Sequence, residues 1–113
     1  MRQLITSEDL DARDRIVEAA RALLAGEMDV LRAAARISRY VGLLDPKYED
    51  HDLRLFVGIA SETGKYLIVD SVRGWHPDVR EAREEEYRKA NDSYMNDAVR
   101  AARAVVEKLA PPA

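Results

Sequence analysis

From Pro77 to Ala110 the chain runs without another proline or any glycine, and that stretch limits the possible folds more than any other feature. Proline suits a first helical position, and Val79, Ala82, Tyr87, Ala90, Tyr94, Ala98, Val105 and Leu109 recur at approximately helical spacing. The pattern predicts one long helix, or two with a bend near Asn91-Asp92-Ser93. A straight helix of this length measures ~50 Å at 1.5 Å per residue, longer than a domain of this size is wide. A bend or a projecting end is therefore expected. Glu84 with Arg88 and Glu85 with Lys89 stand at i,i+4 with the acid first, which supports an exposed face.

The first third reads as a helical hairpin. Leu10, Ile16, Val17, Ala20, Leu23 and Leu24 fall on one helical face, Thr6 or Ser7 can cap the start, and Gly26 offers a left-handed stop. Val30, Ala34, Ile37, Val41 and Leu44 then make a second apolar seam, with Gly26-Glu27-Met28-Asp29 as the turn between two antiparallel helices. Asp45-Pro46 breaks the pattern, and residues 46–52 lack apolar periodicity, which predicts an exposed loop. Beyond it Leu53, Leu55, Val57 and Ile59 alternate with other residues, and Tyr66–Val72 is rich in strand formers. Taken alone, residues 53–72 read as a β-hairpin turning at Ser61–Gly64, which would have to lie on the helices to be stable. The expected fold class is mainly α in one domain.

With 113 residues there is room for a single core, and 47% apolar side chains suffice to build it. The absence of cysteine excludes a disulfide framework, a zinc-finger spacing and a thiol nucleophile. A net charge of −3 gives no overall basic field to hold nucleic acid by its phosphates. No apolar run reaches the ~18 residues of a membrane span, and the start shows no signal-peptide pattern, so a cytoplasmic protein is expected. An excess of Arg over Lys, 14 to 4, with 17 Ala, suggests a GC-rich bacterial genome.

Charge divides the chain. Acids and bases balance in residues 1–44 and again in 73–113, so the whole net charge sits between them. Residues 45–72 carry Asp45, Glu49, Asp50, Asp52, Glu62 and Asp70 against Lys47, Arg54 and Lys65. Several chemical motifs fail on inspection. Gly58–Tyr66 resembles a phosphate loop but has five residues between its glycines and Tyr66 in place of Ser or Thr. Asp50-His51-Asp52 offers ligands for a cation, yet His76 is the only other histidine, and a solvated loop is the simpler reading. None of the serines lies in a nucleophile elbow. Glu84, Glu85 and Glu86 are consecutive, so a helix disperses them around its surface. Trp75 is either a core plug or a contact anchor. No cofactor or metal is expected.

The segment Phe56-Val57-Gly58-Ile59-Ala60-Ser61-Glu62-Thr63, followed by Arg73 and Trp75-His76-Pro77 and preceded by an Ala-rich helical pair, resembles a family of small bacterial proteins classed as a domain of unknown function. The likeness spans roughly residues 15–110. It departs from the family pattern at Gly64, where an acidic residue is expected, and at Tyr66-Leu67, where Leu-Pro is expected. The resemblance implies a mainly helical fold in which the central stretch is an ordered loop instead of a hairpin, and it brings no activity with it.

With no catalytic constellation surviving, the residues favour a non-enzymatic binding protein, and an immunity or antitoxin-like protein that occludes a toxin is expected. Glu49, Asp50, Asp52, Glu62 and Asp70, with Arg73 and Trp75, are the expected contact residues, and a basic toxin domain the expected partner. An enzyme with a site assembled from His51, Glu62, Arg73 and His76 is the first alternative. A homodimer through the Ala and Tyr stripe of the C-terminal helix is the second.

Overall fold

The computed structural model describes residues 7–67 and 77–111, and among them every regular element is helical. Helix α1 (Ser7–Leu24) buries Ala12, Ile16, Val17, Ala19, Ala20 and Leu23 at helical spacing, while Leu24 turns outward at its end. Gly26 stops the helix. At φ +76 it occupies the left-handed region, and its N–H reaches the Leu23 carbonyl while the Glu27 N–H reaches that of Ala22. Two otherwise orphaned carbonyls are satisfied by this paired arrangement, which reverses the chain within a few residues.

Helix α2 (Val30–Val41) starts on an Asp29 cap whose carboxylate accepts from the Arg32 N–H at 2.9 Å. It buries Val30, Leu31, Ala33, Ala34 and Ile37, a wider stripe than one seam, because it has a neighbour on either side. The expected loop at 46–52 is shorter than its sequence suggests. Pro46–Tyr48 forms a 3-10 turn capped by Asp45, and helix α3 begins at His51.

Neither the β-hairpin nor the ordered loop expected over residues 53–72 is formed in its described part. Helix α3 (His51–Thr63) runs through the first strand and the turn, Gly64–Leu67 is a 3-10 turn, and residues 68–72 lie outside the described residues. The cause is visible at both levels. Asp50 accepts hydrogen bonds from the N–H groups of Asp52 and Leu53, both at 3.1 Å, which nucleates a helix. Leu53, Phe56, Ile59 and Thr63 then share one buried face, which a period of two would have split between opposite sides.

Helix α4 (Pro77–Leu109) is unbroken, so the bend allowed for near Asn91 is absent and the projecting end is realised. Ala98, Ala101, Ala102, Val105 and Leu109 are buried, Tyr87, Ala90 and Tyr94 half-buried, and Val79 is 48% exposed. The bundle supports only the later part of the helix. Its first turns contribute no buried residue, Arg83 reaching the rest of the described molecule by stacking 5.9 Å over the Tyr66 ring, and the molecule measures 59 × 25 × 21 Å. A radius of gyration of 15.7 Å, against about 13 Å for a compact chain of this length, fits that projection.

The four helices form an up-down-up-down ring. α2 packs on α1 and α3, α4 packs on α1 and α3, and α2 and α4 are diagonal. Contacts at the two ends fix the directions. At one end Arg13 donates to the Leu109 carbonyl at 3.3 Å and stacks its guanidinium 4.9 Å over Tyr48, while Lys108 pairs with Asp50. At the other end the Val30 N–H donates to Asn91 at 2.7 Å, and Tyr94 donates to Glu62. Ala12, Ala19, Ala20, Ala33, Ala34, Ala98, Ala101 and Ala102 are all in the core, so helices approach closely and the few large side chains, Phe56, Ile16, Leu31 and Ile37 among them, fill most of the volume. None of the described helices is long and apolar enough to cross a membrane.

Candidate partner-binding face

The acidic residues of the middle segment are largely engaged by the fold itself. Asp45 caps the 3-10 turn, and Asp50 caps α3 and pairs with Lys108. Glu49 lies 3.7 Å from Arg54, and Asp52 lies 3.4 Å from His51. Glu62, near the far end of α3, accepts from the Tyr94 hydroxyl, and this hydrogen bond raises the Tyr94 pKa above its usual 10.0. Asp70, Arg73, Trp75 and His76 lie outside the described residues. Around the start of α3, then, four carboxylates stand among Lys47, Arg54 and Lys108, which leaves little local field.

The residues assigned to an enzyme do not converge where they can be placed. His51 begins α3 and Glu62 nearly ends it, so ~16 Å of helix separates them. The phosphate-loop resemblance dissolves for a similar reason, because Gly58 lies inside α3. Among the described residues no group of three His, Asp or Glu could hold a metal ion.

One polar network joins three elements at the base of the projecting end. Asp29 accepts from the Tyr87 hydroxyl at 2.6 Å while capping α2, and Arg32 Nε stands 3.8 Å from the same carboxylate. Tyr66 packs edge-on against Tyr87, with ring centroids 6.5 Å apart. Burial, then the bond to Asp29, pushes the Tyr87 hydroxyl from 10.0 up to about 12. Since the folded value lies above the unfolded one, this contribution to stability is complete below pH 10.0 and is lost as the pH rises through about 12. We expect alkaline denaturation curves of the wild type and Tyr87→Phe to converge over that window. Curves that stay parallel throughout would contradict the assignment.

The outer face of α2 is different in character. Its sequence, VLRAAARISRYV, contains three arginines and no acid, and Arg32, Arg36 and Arg39 at i, i+4 and i+7 are all exposed. Arg32 leans on its own cap, but Arg36 and Arg39 have no ion-pair partner among the described residues. With Arg32, Met28 and Ala35 they line an open depression of 610 Å³ that Glu27 and Asp29 also border. A second depression of 620 Å³ is lined by Arg36 and by Arg21 on α1, together with Asp14, Glu18 and Glu27. Reading charge by thirds of the chain hid this face, because the acids of α1 cancel the arginines of α2 in the total. The spacing of the three arginines within one acid-free helix was the available signal.

No family model matches the chain, and no curated protein or solved structure is significantly similar to it.

Proposed function

We propose that the protein is a non-enzymatic protein-binding module whose docking face is the outer surface of α2. One observation carries this reading: Arg36 and Arg39 are exposed, adjacent on one helix face, and without an ion-pair partner among the described residues. Arginine combines a fixed charge with a planar set of donors that fits carboxylates, and it is enriched where interfaces are strongest. The partner surface is accordingly acidic, and its encounter with α2 is accelerated by charge and slowed by salt.

Occlusion of a basic toxin domain by the acidic segment is a rival reading on a different face of the molecule. Glu49, Asp50, Asp52 and Glu62 already have partners inside the molecule. The likeness to the small bacterial family adds no activity to either reading.

The two faces are separable by experiment. Tagged wild type, Arg36→Glu/Arg39→Glu and Glu49→Lys/Asp52→Lys would be compared as bait at low and high salt. We expect the stoichiometric partner of the wild type to be lost from the arginine variant and kept by the acidic-segment variant. Retention by the arginine variant would move the interface away from α2, and loss only from the other variant would restore the basic-partner reading.

A further inference from the structure

We infer that the projecting end of α4 from a second copy of this chain docks on the arginine face of α2, making a reciprocal dimer. The inference rests on the reading of α2 as a docking face and names its occupant. On the projecting segment, Glu81 and Glu84 are exposed, three residues apart, and without an ion-pair partner among the described residues. Arg36 and Arg39 repeat the same spacing with the opposite charge. Residues three apart on a helix lie ~5–6 Å from each other at Cβ, so both pairs can form at once between two helices lying side by side.

The chain cannot satisfy this pairing internally. α2 and α4 are diagonal in the ring, and α4 projects beyond the end at which α2 begins, where Asn91 meets Val30. A partner molecule can. α2 and α4 of one chain run in the same direction, so a copy related by a two-fold axis across α4 presents its projecting end antiparallel to α2. Antiparallel pairing sets Glu81 opposite Arg39 and Glu84 opposite Arg36, so both ionic pairs form in one register. Both surfaces are on every chain, so two copies exchange the contact twice, and the second contact forms within an existing complex.

The Ala and Tyr stripe of α4 is a poorer dimer surface, since its members from Tyr87 onward are partly or fully covered by the chain's own bundle.

Sedimentation of the full chain across micromolar concentrations tests the proposal, with helicity checked for each variant. We expect a salt-sensitive dimer for the wild type, and at least about tenfold weaker self-association for Arg36→Glu/Arg39→Glu and for Glu81→Arg/Glu84→Arg, from like charges placed face to face. Mixing the two variants should produce a heterodimer, because each then offers the charges the other lacks. A monomeric wild type, a dimer indifferent to both charge reversals, or a mixture that stays monomeric would overturn the inference. If a monomer still holds another acidic protein through Arg36 and Arg39, this inference fails alone. If no binding of any kind depends on those arginines, the reading of α2 as a docking face fails with it.

Discussion

Phe56→Ala is expected to destabilise the fold by about 3–5 kcal/mol, the cost of emptying a buried aromatic site. Phe56 has 0% exposure and is the largest of the fully buried side chains. Alanines line much of the same core, so few long neighbours are available to move into the space. Against a total stability of about 5–15 kcal/mol for domains of this size, the loss removes a large share and in a marginal fold all of it. Its neighbour supplies the contrast. Val57 is 37% exposed at the solvent edge of α3, and Val57→Ala should cost less than about 1 kcal/mol. Urea denaturation of the two variants separates the observed helix from the alternating strand that the sequence suggests, in which Val57 would share the face of Leu53, Leu55 and Ile59. Equal losses, or a larger one at Val57, would be incompatible with the helical placement.

Asp29→Ala is expected to cost about 2 kcal/mol, more than an isolated N-cap, because one carboxylate serves two elements. Its two oxygens take the Arg32 N–H and the Tyr87 hydroxyl, tying the start of α2 to the base of the projecting helix. Asp29→Asn keeps the cap geometry and should recover roughly half of the loss. A double-mutant cycle with Tyr87→Phe isolates the rest, with an expected coupling of about 1 kcal/mol. Coupling near zero would reduce Asp29 to an ordinary cap.

The helices whose apolar spacing is unambiguous were legible in the residues, and so was the stop at Gly26. Pro77–Leu109 announced itself by what it lacks, and its length alone required a projecting end or a bend. The failure at α3 has a physical origin. Leu53 to Ile59 is short and apolar at nearly every second position, so it satisfies both a period of two and a period of 3.6. Gly58 lowered the apparent helical propensity, although in the helix it costs only about 1 kcal/mol relative to alanine. Asp50, three residues before Leu53, was the capping signal that decides the case. Candidate site residues fared differently from elements because their role depends on partners remote in sequence. Asp50 meets Lys108 and Glu62 meets Tyr94 only after α3 and α4 pack together, whereas the freedom of Arg36 and Arg39 follows from α2 having no acid of its own.

The diagonal ring has a further consequence for how such a chain acquires its shape. α1, α2 and α3 are neighbours in sequence and can form their hairpins early, from contacts that close short loops. The surface lining α1 and α3 is finished only by Ala98 to Leu109, and the bond from Arg13 to Leu109 spans 96 positions. During synthesis from the N-terminus, the helices that need covering therefore precede the helix that covers them. Until that last wall arrives, part of the apolar surface of α1 and α3 stays open to water, and this nascent three-helix stage is when the molecule is most adhesive to other chains.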